Sequence, residues 1–183
     1  MKKFKRIAAL LLSVSMLAGL AACSNGTTTT STPPKDDGET PAASDYKVAM
    51  ITDYGDITDQ SFNQTTYEAC KAFCDANGVE FSYYKPNGDN TAERVAMVDA
   101  AVADGYNVIV MPGYAFGGTV VEASEQYPDV KFVALDVAAG DILEAGVPLK
   151  GEEYDYNPDN WNVKDYYYSD NVYCAVYQEE LCG

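Results

Sequence analysis

The residues best suited to ligand binding lie between Val48 and Asn63, in the segment VAMITDYGDITDQSFN. An apolar run, which predicts a strand, leads into an acidic loop that enters a predicted helix through Ser-Phe-Asn. The side chains of Asp53 and Asn63 can hydrogen-bond a ligand, and the ring of Phe62 can stack on a flat one. Open α/β folds bind ligands at such points, beside the carboxyl end of a strand and the next helix N-terminus. The alternative is an ordinary strand–loop–helix junction with a helix cap.

Two further loops carry candidate ligand-binding residues directly after predicted strands. Gly113 and Tyr114 follow one apolar run, and the glycines of their loop can let backbone amides approach a ligand. This loop has no lysine and fits neither the P-loop nor the dinucleotide-binding pattern, so we expect no cofactor. Asp136 ends the next apolar run, where a carboxylate can accept two hydrogen bonds from vicinal hydroxyls. A cap of the following element is the alternative role for Asp136.

Strands and helices alternate between residues 46 and 177, which predicts an α/β fold with a parallel sheet and right-handed crossovers. With the strand order 2-1-3-4-5, the loops after the first, third and fourth strands share one rim, where Asp53, Gly113 and Asp136 would converge. The predicted strands are Tyr46–Thr52, Val79–Lys85, Tyr106–Met111, Val130–Leu135 and Asn171–Tyr177. The predicted helices are Ser61–Asn77, Thr91–Asp104 and a short one that ends near Tyr127.

The first helix is predicted to end at Gly78 and to bury one apolar face. The residues of that face are Phe62, Thr66, Ala69, Cys70 and Phe73. Cys70 and Cys74 lie one helical turn apart, where a disulfide fits poorly, so we interpret both as small core or half-buried residues.

The segment 137–170 is rich in tyrosine and acidic residues and contains the only tryptophan, Trp161. We predict no helix within it, although structureless loops of this length are uncommon in compact domains. A lid or a docking surface for a partner is one interpretation, because exposed aromatic residues favour interfaces. The interpretation that we prefer is an insertion that packs against its own domain.

Composition excludes several classes of function. The chain has no histidine, which removes Ser-His-Asp, Cys-His and imidazole–metal chemistry. Asp53, Asp56 and Asp59 lack the dense oxygen spacing of a calcium loop, so we expect no metal; Asp59 is predicted to cap the helix and Asp56 to be solvated. The net charge of −16 argues against binding to nucleic acid.

The N-terminus has the pattern of an export signal, predicted to span residues 1–22. A basic start precedes an apolar stretch that is too short to span a membrane. The sequence Leu-Ala-Ala-Cys then resembles a lipobox, which predicts cleavage before Cys23 and lipidation of its thiol. Residues 23–45 lack large apolar side chains and are predicted to form a flexible tether. A plain secretory signal with an accidental cysteine is the alternative.

These motifs together resemble the basic membrane protein family, bacterial lipoproteins that bind nucleosides for ABC importers. The matching segments are Thr52-Asp53, Gly55, Asp56, Asp59, Ser61-Phe62-Asn63, Pro112-Gly113-Tyr114, Tyr127 to Asp136 and Asn171 to Gly183. The resemblance implies a type I periplasmic-binding-protein-like fold that binds its ligand between two lobes, of which residues 46–177 would be the first. We interpret residues 178–183 as the start of a crossover helix, with the chain truncated before the second lobe.

The resemblance also implies roles for individual residues. Asp53 and Asn63 would contact the base and Phe62 would stack on it, while Asp136 would hold the ribose. The expected partners are a purine nucleoside, the permease subunits of an ABC importer, and the membrane through the lipid on Cys23. The expected function involves no catalysis. The alternatives are a sugar-binding protein of the same architecture, a lipoprotein enzyme, and a surface adhesin that uses the tyrosine-rich segment.

Overall fold

The computed structural model describes residues 45–176, which form a five-stranded parallel sheet in the order β2-β1-β3-β4-β5. The strands are Lys47–Ile51 (β1), Glu80–Tyr84 (β2), Val108–Pro112 (β3), Lys131–Leu135 (β4) and Val172–Ala175 (β5). The helices are Phe62–Asn77 (α1), Thr91–Ala103 (α2), Gly117–Gln126 (α3) and Ala139–Leu149 (α4). Short 3-10 segments occupy Tyr114–Phe116, Pro158–Asn160, Val163–Asp165 and Ser169–Asn171. The predicted α/β class and strand order are confirmed.

The core divides into two apolar layers, one on each face of the sheet, because successive strand side chains point to opposite faces. The larger layer packs the sheet against α2, α3 and α4, and it includes Ala49 and Ile51 of β1. The smaller layer contains Val48, Val110 and Cys74, and it lies under α1. Right-handed crossovers produce this division. The connection from β1 to β2 runs towards one edge of the sheet and places α1 on one face, whereas the later connections run towards the other edge and place α2, α3 and α4 on the opposite face.

Helix α1 ends where predicted, but it buries only part of the predicted face, since Ala69 and Phe73 are exposed. Gly78 adopts the left-handed conformation (φ 64°) that stops the helix. The buried residues are Asn63, Thr66 and Cys74, whereas Phe73 is 60% exposed. The predicted inward position of Phe73 is therefore wrong. Cys70 is half-buried and Cys74 is buried, and both are free thiols, as predicted.

The segment 137–170 begins with a helix that the sequence analysis did not predict. Helix α4 is the crossover between β4 and β5, and it buries Ile142, Leu143 and Val147. The Asp141 carboxylate accepts a hydrogen bond from the Ala138 N–H (2.7 Å) and caps the start of the helix.

The rest of this segment packs against the same layer. Tyr154 and Tyr166 are buried in the larger core, and Trp161 makes edge-to-face contacts with both rings. The Asn171 amide, which is fully buried, donates to the backbone oxygens of Ser124 (3.2 Å) and Tyr127 (2.9 Å). These contacts fit the interpretation that we preferred, in which the segment packs against its own domain.

Several predictions fall on residues outside the described range. They are the signal peptide over residues 1–22, lipidation of Cys23, the tether over residues 23–45 apart from its last residue, and the helix start at 178–183. Within residues 45–176, no helix has the length and hydropathy needed to cross a membrane.

Candidate ligand-binding site

The carboxyl ends of three adjacent strands bring the predicted site residues to one rim of the sheet. Strand β1 pairs with β3 through Met50 and Val110, and β3 pairs with β4 through Pro112 and Leu135. Asp53 and Gly113 each lie three residues after the first pair, and Gly113 and Asp136 each lie one residue after the second. Because neighbouring strands lie about 4.8 Å apart, the strands β1 and β4 that lead to Asp53 and Asp136 are about 10 Å apart along this rim.

The loop after β1 folds around a buried asparagine. Asn63 is 3% exposed, and its Nδ2 donates to Asp53 Oδ1 and to Asp59 Oδ2, each at 2.9 Å. Asn63 Oδ1 accepts a longer hydrogen bond from the Asp53 N–H (3.3 Å). The loop is closed further by Asp53 Oδ1, which accepts from the N–H groups of Tyr54 and Gly55 at 2.6 Å. Asn63 therefore uses both of its amide protons within the loop.

Asp53 keeps one acceptor atom available. Within residues 45–176, every hydrogen bond to its carboxylate goes to Oδ1, which leaves Oδ2 to accept from a ligand. Burial disfavours the charged form of Asp53, yet its pKa is lower than usual. The causes are the N–H groups of Gly55 and Tyr54, then the Asn63 amide and the charge of Arg94. Asp53 thus presents an ionised acceptor at neutral pH.

The entry into α1 is held by Asp59, as predicted. Asp59 Oδ1 accepts from the N–H groups of Ser61 (2.8 Å) and Gln64 (3.1 Å), which caps the helix. Burial alone would raise the pKa of Asp59, but the Asn63 amide and these N–H groups hold it below its usual value. Asp56, also as predicted, is exposed, and its only ion pair within residues 45–176 is with Lys85 (3.1 Å).

Phe62 occupies the first position of α1 and is half-buried. Its side chain belongs to neither apolar layer, so its ring does not serve the core of residues 45–176. Two other aromatic residues lie on the same rim, Tyr54 at 54% exposure and Tyr114 at 70%. The sequence analysis singled out Tyr114 but not Tyr54.

The glycines after β3 have two different roles, one in the backbone conformation of the loop and the other in close helix packing. Gly113 has a φ of 118°, which favours glycine, and its N–H donates to Leu135 O at 2.7 Å. Gly117 and Gly118 are buried instead in helix packing. A side chain at Gly117 would collide with the Asp141 backbone, and one at Gly118 would lie 2.7 Å from the Thr91 hydroxyl. Of these three glycines, Gly113 alone lacks such a neighbour.

Asp136 stands at the end of β4 in the left-handed region, with a φ of 58°. This conformation is uncommon for a residue other than glycine, although aspartate tolerates it better than most. Its N–H donates to Ala175 O (2.7 Å), which fixes the backbone against β5. Within residues 45–176, no hydrogen bond or ion pair engages its half-buried carboxylate. The group is thus free to accept hydrogen bonds from a ligand.

Negative charge accumulates beside Asp136. Burial raises the pKa of Asp141, and the nearby charges of Asp136 and Glu144 raise it further, against the N–H of Ala138 that lowers it. Asp141 and Glu144 also line a cavity of about 260 Å³ that extends to Tyr114. This end of the rim consequently offers acceptors and repels anions, which suits hydroxyl groups better than phosphates.

A second cavity, of about 580 Å³, lies at the opposite edge of the sheet. It is lined by residues near the amino ends of the strands, including Val48, Val108 and Lys131, together with Phe73 and Tyr173. None of the predicted ligand-binding residues borders it. The cavity is therefore separate from the candidate site.

The sequence analysis missed one residue beneath the rim. Arg94 of α2 is 3% exposed, and its guanidinium donates to the backbone oxygens of Asp53 and Ala115. A signal was present, because Arg94 lies four residues before the buried Val98 and thus on the same helical face.

The sheet order, the crossovers and a polar rim at the carboxyl edge define a doubly wound α/β lobe, a class that binds ligands beside the carboxyl ends of its strands. Residues 46–180 match the model of the Bmp family, described as ABC transporter substrate-binding protein PnrA-like. The chain belongs to this family, as the resemblance predicted.

Individual relatives agree with this assignment. The chain is 32% identical to a CD4+ T-cell-stimulating antigen of Listeria innocua over 139 residues, which cover 72% of this chain and 37% of the relative. It is 26% identical to the ABC transporter nucleoside-binding protein BmpA of Lactococcus lactis over 96 residues, which cover 50% and 27%. An uncharacterised lipoprotein of Pyrococcus abyssi is 30% identical over 139 residues, which cover 76% and 31%.

Among solved structures, an ABC transporter solute-binding protein of Aeropyrum pernix aligns with a TM-score of 0.46 and 26% identity. The alignment covers 51% of this chain and 25% of that protein. The chain spans about a third of the length of the curated relatives it matches most extensively.

Proposed function

We propose that this chain is the first lobe of a lipid-anchored substrate-binding protein of an ABC importer, and that its ligand is a purine nucleoside. The rim at the carboxyl edge of β1, β3 and β4 carries the proposal. Ionised Asp53 lies at one end of the rim and unpaired Asp136 at the other, with Phe62 outside the core. The ligand would be bound and handed to permease subunits without any chemical change.

Each part of a nucleoside has a counterpart along this rim. A purine has donor groups on its edge that Asp53 Oδ2 can accept, and a flat face on which Phe62 can stack. A ribose has two vicinal hydroxyls, which one carboxylate at Asp136 can accept together. The strands that lead to the two acids are about 10 Å apart, so one ligand placed over β3 between them would reach towards both. Gly113 and Tyr114 lie between them and would contact the middle of the ligand.

Support for the ligand class also comes from a relative, since the Lactococcus lactis protein is named as nucleoside-binding. Support for the anchor comes from three Pyrococcus relatives named as lipoproteins, together with the lipobox that ends at Cys23. In this proposal the protein acts outside the cell membrane and attaches to it through the lipid.

The test is isothermal titration calorimetry on a two-lobed protein, in which this lobe is joined to the second lobe that the family implies. Adenosine and inosine should bind, and their 2′-deoxy forms should bind more weakly, because Asp136 would lose a partner. Phe62→Ala should weaken adenosine binding by about 1–3 kcal/mol, the range for stacking of a base on an aromatic side chain.

Two outcomes would contradict the proposal. Equal affinity for ribose and 2′-deoxyribose nucleosides would remove the role of Asp136. Free ribose that binds as tightly as adenosine would favour a sugar-binding protein. Asp136→Asn serves as the matched variant, since it keeps the shape of the side chain and should reduce the difference between the two sugars.

A further inference from the structure

Arg94 connects three loops beneath the rim. Its Nε donates to Asp53 O (2.9 Å) in the loop after β1, and its Nη1 donates to Ala115 O (3.3 Å) in the loop after β3. Its Nη2 forms an ion pair with Asp89 in the loop between β2 and α2. The guanidinium carbon also lies 5.6 Å from the centre of the Phe116 ring.

A buried guanidinium needs such partners, because an unpaired charge inside a protein is costly. The planar fork of arginine points its donors in fixed and different directions, so one side chain can hold acceptors from separate loops. Lysine has the same charge but no fork, and it would hold these carbonyls less well. The geometry at Arg94 therefore requires arginine for more than its charge.

The two carbonyls matter more than the carboxylate. The Asp89 side chain is 59% exposed and lies in a loop that carries no predicted ligand-binding residue, so this ion pair balances the charge of Arg94 without fixing a residue of the rim. The Asp53 and Ala115 carbonyls are held from within by a residue that is 3% exposed. Asp53 bears the free Oδ2, and Ala115 directly follows Tyr114, so both tethered residues belong to the rim.

We propose that Arg94 is a positioning residue for the ligand site, which sets the distance between the Asp53 loop and the Tyr114 loop. This inference rests on the proposed function of the rim. Arg94 itself is too buried to contact a ligand. It acts by fixing the backbone on either side of the ligand, so that the two loops do not have to be ordered when the ligand binds.

The first test is hydrogen–deuterium exchange on the 183-residue chain, which requires no ligand. Arg94→Lys should raise the exchange rate about tenfold in peptides that cover residues 53–62 and 113–118, given the value of a charge-assisted hydrogen bond. Strand β4 should exchange as in the parent chain. Unchanged exchange in both loops would overturn the proposal. An equal rise in β4 would also overturn it, since that result indicates a purely structural role.

Matched variants distinguish the effect of the guanidinium hydrogen bonds from the effect of the positive charge. Asp89→Asn removes the ion pair but keeps both carbonyl bonds and an amide oxygen that can accept from Arg94 Nη2, so its loop exchange should rise less than that of Arg94→Lys. Lys71→Gln removes a surface cation that lies nine residues after Phe62 in α1 and pairs with Asp75 at 2.6 Å, and it should match the parent. If Arg94→Lys does not fold, Arg94→Gln takes its place, with Lys71→Gln as the control for the lost charge.

The second test is the adenosine affinity of the two-lobed protein, measured beside its urea midpoint. Arg94→Lys should weaken binding about tenfold, for the same hydrogen-bond reason, while Asp89→Asn, which keeps both carbonyl bonds, should weaken it less. Parent-like affinity in a folded Arg94→Lys protein would contradict the positioning role. If the parent itself binds no nucleoside, the proposed ligand is wrong, and the exchange measurement still decides whether Arg94 orders the two loops.

Discussion

Gly55→Ala should destabilise the folded chain, although most replacements of glycine by alanine in a permitted conformation do the opposite. A Cβ at Gly55 would lie 2.6 Å from Asn63 Nδ2 and 3.1 Å from Asp53 Oδ1. Ordinary contact begins at 3.4 Å, so the Asn63 amide would have to move by about 0.8 Å. Asn63 is 3% exposed and anchored at both ends of its amide, and it cannot make this movement without losing hydrogen bonds.

The magnitude follows from the two bonds at risk, which join Asn63 Nδ2 to Asp53 and Asp59 at 2.9 Å. A hydrogen bond to a charged group contributes about 1.5–3 kcal/mol. The Asp59 carboxylate is exposed, so water can replace its partner, and the Asp53 bond dominates the loss. Alanine also lowers the conformational entropy of the unfolded chain, which stabilises the folded state by about 0.4–1 kcal/mol and partly offsets this loss. The expected net loss in the free energy of unfolding is about 1–2 kcal/mol.

Urea denaturation of the 183-residue chain measures this free energy, and Gly88→Ala is the matched control. A Cβ at Gly88 would meet its nearest neighbour, Asn90 Nδ2, at 3.4 Å, which requires no movement. Gly88→Ala should therefore be neutral or stabilising by up to about 1 kcal/mol. If Gly55→Ala were also neutral or stabilising, the polar cluster around Asn63 would not have the tight geometry described above.

Two further predictions concern stability. The pKa values of Asp53 and Asp59 are lowered in the folded chain, so these carboxylates stabilise it above the ordinary carboxyl pKa, and this stabilisation is lost as the pH falls through their folded pKa values. The urea concentration at the unfolding midpoint should therefore decrease when the pH is lowered below about 4. Asp53→Asn should make this decrease smaller. Gly146→Ala should destabilise α4 packing, because its Cβ would lie 2.8 Å from Tyr166 Cβ. Gly140→Ala in the same helix would make only an ordinary contact, 3.8 Å from the Tyr154 hydroxyl, and should be neutral or stabilising. Equal urea midpoints for these two variants would contradict the packing of Tyr166 on α4.

The strands and their order were predictable because β1, β3 and β4 are apolar runs followed by a loop signal, and β2 alternates apolar and polar residues before its turn. Buried parallel strands have side chains covered on both faces, and the run from Val108 to Met111 shows this composition directly. The alternation of strands with helices then restricts the topology, since crossovers between parallel strands are right-handed. The observed bounds differ from the predicted ones by one to two residues at most ends.

Helix α4 was not predicted because its sequence, AGDILEAGVPL, contains residues that disfavour helices. It includes Gly140, Gly146 and Pro148 within eleven residues. Its buried residues Ile142, Leu143 and Val147 nevertheless have helical spacing, and tertiary packing outweighs the local preference. Gly146 has a further reason to be glycine, because Tyr166 packs directly on it.

The inward position of Phe73 in α1 was predicted wrongly for a different reason. The sequence analysis ranked positions by apolar character and placed Phe73 inside. The orientation is set instead by Asn63, whose amide is satisfied by Asp53 and Asp59 and is therefore stable when buried. Arg94 was missed on the same ground, since a charged side chain is not expected on an inward face until its partners are known.

Asp53 and Asn63, the two polar residues predicted to contact the base, differ in the hydrogen-bonding groups that they have available for a ligand. Asp53 Oδ2 can accept a ligand donor without the loss of any bond within residues 45–176. Asn63 has two amide protons, and each already binds a carboxylate, so a new contact through them would sacrifice about 1.5–3 kcal/mol. A ligand at this rim therefore gains more from Asp53 directly, while Asn63 serves it by holding that carboxylate in place. The contact of Asn63 with the base stays a prediction. Through Nδ2 it would require the loop to exchange one of its own hydrogen bonds for a bond to the ligand, whereas Oδ1 accepts only from the Asp53 N–H and keeps a second lone pair.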